Sequence, residues 1–338
     1  MNFINDEAIF FRHGRSALKF GLISLALKKN DEILIPNYIC DIIPKTLHNM
    51  QLKPIYYEIK KNFTPDLESI KALLSRNTKA LILVHYFGLP VKNNIYRNLC
   101  IDNNLFFIED NAHGFGSTIE KKPIGDKSHF TFVSPWKSLN QKYGAILLMK
   151  NNKSIKKIKF SKTKVDYKLI IQSFLKSYLR EFIYFRKYLR KQPQYGVMQS
   201  TSDFKVTDEL LDNWSKNRII NCEINKSKKN RQKIFSFWYQ FLKKNKNLKF
   251  IFKKAPEGSS PLYFPVYTKT KNDSIKCFNW GWNNGLNVIS WPSLPEDVIK
   301  NRKDLVLRWE KLVFFPIEYN WSLERLKIII SKSTDLQV

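Results

Sequence analysis

One stretch of the sequence concentrates side chains capable of chemistry: Phe106–Met149, FFIEDNAHGFGSTIEKKPIGDKSHFTFVSPWKSLNQKYGAILLM. An apolar burst ends at Glu109-Asp110 and runs on into Asn111, Ala112 and His113. Further along, Ser134-Pro135-Trp136-Lys137 follows an aromatic run that reads as another strand. Neither acid nor amine is diagnostic alone, because an aspartate at a strand end is as often structural as functional. Together they are the pair that pyridoxal phosphate (PLP) chemistry needs. A lysine forms the Schiff base, and an acid keeps the pyridine nitrogen protonated so that the ring can draw electrons.

Such a pair must be held at strand ends, and the first 150 residues read as alternating strands and helices. Apolar bursts fall at Ile33–Pro36, Pro54–Ile59, Ala80–Val84, Leu105–Ile108 and Ala145–Met149. Helix-like stretches lie between them at Ser16–Leu27, Asp41–Met50, Pro65–Leu74 and Lys92–Asn103, with Thr64-Pro65 as a helix start. Short apolar strands spaced by helices predict an α/β fold whose central sheet is mostly parallel and covered on both faces. Ligands collect at the carboxyl ends of such strands, where helix N-termini also point.

Beyond residue 150 the pattern changes. Asn151–Lys164 is polar and rich in lysine, and Tyr167–Leu189 is a basic, aromatic-rich helical pattern. Its apolar positions Leu169, Ile170, Phe174, Leu175, Tyr178, Phe182 and Phe185 suit one buried face; the sharper alternative is a membrane-surface helix. A helix is expected over about Asp208–Lys244. Strand-like pieces at Leu248–Phe252, Leu262–Tyr267 and Leu286–Ser290, with helices near Asp273–Asn283 and Ser322–Lys332, suggest a smaller C-terminal α/β domain. The expected division is residues 1–205, a large cofactor-binding domain with the basic helical segment at about 151–200, and 206–338, a connecting helix and the smaller domain.

The order of short motifs resembles the DegT/StrS family of PLP-dependent sugar aminotransferases, of fold type I. The residues are Gly14-Arg15-Ser16-Ala17-Leu18, then Asp31–Tyr38, and Val84-His85-Tyr86-Phe87-Gly88-Leu89-Pro90. Glu109-Asp110-Asn111-Ala112-His113 and Ser134-Pro135-Trp136-Lys137 follow, with Tyr143-Gly144 where the family commonly has Gly-Gly. Motifs in the right order are far more specific than any one alone. The resemblance implies that Lys137 holds the cofactor covalently and moves the proton in catalysis. It implies that Asp110 pairs with the pyridine nitrogen and that His113 lies by the phenolic oxygen. Gly14, Arg15 and Ser16 would hold the phosphate at a helix N-terminus, Ser134 would add a hydroxyl, and Tyr38 would cover the ring's face. His85 is as readily a support for the sheet end as a ligand contact. Arg15 replaces the usual Thr, either strengthening the phosphate site or pointing to solvent. The family's partner-subunit Asn and Arg have no counterpart at the nearest register, Asp203–Thr207. Trp291-Pro292 and Phe315-Pro316-Ile317 are only suggestive of the family's late segments.

Composition constrains the rest. Hydrophobic residues at 43% and aromatics at 14% supply a real core and argue against disorder. Lys and Arg number 58 against 29 acidic residues, a charge of +29 that would attract anions or simply reflect drift toward lysine. Cys40, Cys100, Cys222 and Cys277 are scattered, with no pairing that suggests zinc or a disulfide framework. No signal-like N-terminus or membrane-spanning run is evident, so the expectation is a cytoplasmic protein.

By resemblance, the expected activity is transfer of an amino group from glutamate to a nucleotide-linked keto-sugar, in a homodimer, for polysaccharide or glycoconjugate synthesis. A PLP enzyme on another acceptor, held near a membrane by the basic helix, is one alternative. Elimination of water is a second, though relatives that do so commonly replace the Schiff-base lysine with histidine, and Lys137 is a lysine. A non-catalytic anion or nucleic-acid binder is the third, and no compact nucleic-acid motif favours it.

Overall fold

The computed structural model describes residues 4, 7–139, 141–150, 155, 158–168, 170, 171, 175, 192–196, 204–291, 293–318 and 322–338. Most of the basic pattern at 167–189, including Leu169, Phe174, Tyr178, Phe182 and Phe185, lies outside these residues, as do Asp203 and Pro292. The first half alternates as the apolar runs require: β1 (Ile9–Phe11), α1 (Gly14–Ser24), β2 (Glu32–Pro36), α2 (Ile42–Asn49), β3 (Lys53–Tyr57), α3 (Leu67–Ala72) and β4 (Thr78–Val84). There follow α4 (Asn94–Asp102), β5 (Phe106–Asn111), the small hairpin β6 (Thr118–Ile119) and β7 (Lys122–Pro123), then β8 (Phe130–Val133), α5 (Pro135–Leu139) and β9 (Ala145–Met149).

Among the described residues these strands join β10 (Ser161–Lys162) and β11 (Glu209–Leu210) in a nine-stranded sheet of order β10-β11-β1-β9-β8-β5-β4-β2-β3. Its centre, β8-β5-β4-β2-β3, is parallel, and β9 and β1 are added antiparallel. The runs are buried along nearly their whole length (all five residues of β2, six of seven in β4), as a sheet covered on both faces demands. The mostly parallel α/β architecture expected from the sequence is present.

Several boundaries differ from expectation. Helix α3 starts after Thr64-Pro65, because Asp66 is its cap and accepts the Glu68 N–H. The helix expected over Asp208–Lys244 is two helices, α6 (Asn213–Ile220) and α7 (Ile224–Leu242), preceded by β11. Asp212 caps α6 by accepting the Ser215 N–H at 2.9 Å, and the chain turns at Asn221–Glu223 before α7. Because β11 pairs with β1, the large sheet draws on residues past 205.

The last part builds a three-stranded antiparallel sheet from β12 (Leu248–Phe250), β13 (Tyr263–Thr268) and, after α8 (Lys271–Asn283), α9 (Glu296–Asn301) and α10 (Lys303–Glu310), β14 (Leu312–Pro316). Helix α11 (Leu323–Ser331) closes it, capped by Ser322. The strand expected at Leu286–Ser290 reduces to one bridge, Ile289 to Phe314, and the third strand is instead the apolar Leu312–Pro316. One continuous core links both parts, from Phe11, Leu34 and Leu81 to Trp238, Phe264 and Phe315.

Candidate active site

Successive side chains on a strand point to opposite faces, and at the end of β5 that alternation separates two acids. Glu109, fully buried, accepts from Asn93 Nδ2 at 2.7 Å and lies 3.0 Å from His85 Nε2. His85 Nδ1 accepts the Val91 N–H at 3.1 Å, so in the neutral ring the proton sits on Nε2 and is donated to Glu109. His85 therefore supports the strand ends.

Asp110 turns the other way, toward Lys137, and its Oδ1 accepts the Ala112 N–H at 2.9 Å. Burial pushes the Asp110 carboxyl above the usual carboxylate range; the Ala112 N–H and the Lys137 charge work against that rise. Burial likewise lowers the Lys137 amine below the ordinary lysine value, with Cys40 and Asp110 opposing the shift. Both groups are desolvated at the carboxyl ends of β5 and β8, and each is close enough to feel the other's charge.

His113 follows one turn after β5. Its Nδ1 accepts the Phe87 N–H at 3.2 Å, which leaves the neutral ring's proton on Nε2. Burial, then the nearby Lys137 charge, holds its pKa well below the ordinary histidine value, so it is neutral at pH 7. The ring stacks on Phe87, with centroids 6.1 Å apart, and meets Trp291 edge-on at 5.3 Å. Phe87 itself has φ 59°, a left-handed conformation costly for a bulky residue. Two bonds hold it there: its N–H reaches His113, and its carbonyl accepts the Leu262 N–H at 2.7 Å.

The N-terminus of α1 is the third wall. No side chain caps it, so its first N–H groups lack intrahelical partners and form an anion-attracting end. Gly14 approaches Ser134 so closely that a Cβ there would lie 2.8 Å from Ser134 Oγ. Ser16 is fully buried, and among the described residues its Oγ has no hydrogen-bond partner. A bare helix end, a glycine cradle against one hydroxyl and a second, orphaned buried hydroxyl fit a phosphate. With the amine, the acid and the neutral imidazole, the donor set fits PLP.

Two expectations change in detail. The half-buried Arg15 side chain donates from Nε to the Lys205 carbonyl, which ties it to a distant segment. What it can offer an anion is its main-chain N–H. Tyr38 is wholly enclosed, packed against Phe63 at 5.7 Å and Trp291 at 6.0 Å, with the Arg308 guanidinium 4.7 Å from its ring centre. It is therefore a supporting ring rather than an accessible face. The second aromatic beside His113, after Phe87, is Trp291, 6% exposed and with no partner for its indole N–H among the described residues. Sequence reasoning marked Trp291 only as a faint late motif. Tyr143, bulkier than the usual glycine, folds under Arg12 (3.9 Å from guanidinium carbon to ring centre) and meets His13 edge-on.

Residues 3–164 match the model of the DegT/DnrJ/EryC1/StrS aminotransferase family. That segment belongs to the family. Lys137, Asp110, His113, Ser134 and the start of α1 all fall inside it. Among curated relatives, the uncharacterized protein MJ1066 of Methanocaldococcus jannaschii is 28% identical over 163 residues, covering 47% of this chain and 42% of that protein. The GDP-perosamine synthase of Vibrio cholerae is 27% identical over 124 residues, covering 36% of this chain and 34% of that protein. The chain thus spans less than half the length of these relatives. A solved structure, the E. coli GDP-4-keto-6-deoxy-D-mannose-3-dehydratase with bound hydrated PLP, superposes with a TM-score of 0.67 at 16% identity, covering 97% of this chain and 87% of that one. The likeness in fold to that structure therefore extends across the second half, where sequence similarity is weak. Among the described residues no group of His, Cys, Asp and Glu is arranged to hold a metal, and no helix is long and apolar enough to cross a membrane.

Proposed function

We propose that this chain is a PLP-dependent aminotransferase that moves an amino group from glutamate to a nucleotide-linked keto-sugar. The observation that carries the reading is the desolvated Lys137–Asp110 pair beside the open N-terminus of α1. When bound, PLP supplies an electron sink for negative charge that develops next to the transferred nitrogen.

The chain's own residues divide the remaining work. Lys137 Nζ would hold the cofactor and afterwards, as the free amine, take and return the proton. Its lowered basicity suits it to that task, because desolvation leaves more of the neutral amine at neutral pH. Asp110, oriented by the Ala112 N–H, would hold a proton at the pyridine nitrogen. His113 would donate from Nε2 to the phenolic oxygen, since Nδ1 is already occupied by Phe87. The main-chain N–H groups of Gly14 and Arg15, with the hydroxyls of Ser16 and Ser134, would bind the phosphate.

The keto-sugar reading draws on the family segment and on the relative named as a GDP-perosamine synthase. The charge of +29 suits a pyrophosphate-bearing substrate. A homodimer with the site bordered by both subunits belongs to the same reading. Lys137 weighs against elimination chemistry of the kind that dispenses with the lysine.

The test is spectroscopic. Protein incubated with PLP should develop a visible absorbance band that is lost in Lys137→Ala and bleached by glutamate with release of 2-oxoglutarate. Screening keto-sugar nucleotides against the bleached protein would then identify the acceptor. A wild-type protein that forms no band at saturating PLP would sink the reading.

A further inference from the structure

Arg231, on α7 in the second half of the chain, is 2% exposed. A guanidinium buried so deeply is costly unless its donors are used, and three acceptors among the described residues take bonds from its fork. Nη2 donates to the Ser138 carbonyl at 2.6 Å, Nη1 to the Pro261 carbonyl at 2.9 Å, and Nε to Ser227 Oγ at 3.2 Å. Each carbonyl belongs to a segment that bears on the candidate active site. Ser138 directly follows Lys137 in α5, a helix of five residues whose last carbonyls have no partner within the helix. Pro261 sits between Ser260, whose N–H donates to the Gly88 carbonyl at 3.1 Å, and Leu262, whose N–H donates to the Phe87 carbonyl at 2.7 Å. Phe87 in turn holds His113 through its own N–H. Gly88 makes this approach possible, because at φ +78° a side chain there would collide with the Ser260 carbonyl.

We infer that Arg231 is a positioning residue: it locks the lysine helix to the wall that carries His113, and so sets where the Lys137 amine lies relative to the cofactor. The inference rests on the PLP reading above. It reaches beyond the family segment, since Arg231 lies outside residues 3–164. Lysine cannot replace it, because one ammonium cannot span three acceptors that a rigid planar fork reaches at once.

The test uses the full chain loaded with PLP, comparing wild type, R231K, R231A, and R231A with added guanidinium ion. Melting temperature is one readout. The pH midpoint of the visible absorbance band and the rate of PLP release are the two that core support alone would not move. In R231K, well below its melting temperature, PLP should leave about tenfold faster and the midpoint should shift by about one pH unit. Guanidinium should restore both values in R231A. Lowered melting with wild-type midpoint and release rate in R231K and R231A would overturn the inference and leave Arg231 as core support. Should R231A fold only with guanidinium present, R231K and S227A, which removes only the Nε acceptor, decide the matter by the same two readouts. A wild-type protein with no visible band would instead overturn the cofactor reading, and the inference with it.

Discussion

The strand-end half of the molecule and the C-terminal half meet at the candidate site but contribute differently. Gly14, Ser16, Asp110, His113, Ser134 and Lys137 sit at the carboxyl ends of strands or the first turns of helices, inside short motifs. Arg231, Leu262, Trp291 and Arg308 reach the same place from separate elements, and they hold groups in position. Arg308 illustrates the second kind. Its guanidinium donates to the Ile59 and Lys60 carbonyls and to Tyr267 Oη while lying over the Tyr38 and Phe63 rings. The lesson is that reacting groups cluster where backbone geometry exposes them, whereas their support is collected from wherever the tertiary fold brings a long side chain near.

Substitutions can sharpen or break that contrast. The largest effect is expected at Lys137: Lys137→Ala should slow amino transfer by about 10²–10⁴-fold and abolish the cofactor band, with no loss of melting temperature in the cofactor-free protein. Trp291→Ala should cost about 3–5 kcal/mol of stability, read by denaturant unfolding, while a cofactor band still forms. A Trp291 variant as stable as wild type but devoid of the band would erase the distinction between reacting and supporting groups. Asp110→Asn should keep the shape and slow turnover by about 10²–10³-fold, measured as single-turnover bleaching by glutamate.

The smallest expected effect concerns His13, at the start of α1. Burial, then the charges of Arg15 and Arg12, lowers its pKa from 6.5 to about 4. Between those values the unfolded chain binds a proton that the folded chain does not. Stability should therefore fall as pH drops from 6.5 toward 4, by roughly 1–2 kcal/mol from this group once its partial exposure to screening water is allowed for. The melting temperature should fall less across that range in His13→Gln than in wild type. Parallel curves for the two proteins would remove His13 from the account.

How legible each part was follows from the same physics. The strand Ala145–Met149, although it pairs antiparallel, was readable to the residue because it lies within a sheet covered on both faces, which leaves an unbroken apolar run. The Asp208–Lys244 region misled because the Asp212 cap and the turn at Asn221–Glu223 interrupt a pattern that continues on either side. Leu286–Ser290 looked like a strand by composition, yet one bridge to Phe314 is all the pairing it makes. Tyr38 carried the right residue type for a ring contact, but its enclosure by Phe63, Trp291 and Arg308 depends on three distant segments.

The sequence by itself determined the parallel sheet and the order of groups along it, Gly14 to Ser134 and Lys137, because both follow from local periodicity and short motifs. Tertiary structure alone decided where the Arg15 side chain is held. It also decided which aromatic stands beside His113, and that Arg231 ties the lysine helix to the opposite wall. Each of those outcomes is a contact between segments far apart in the chain, and the spacing of residues along a chain holds no measure of such distances.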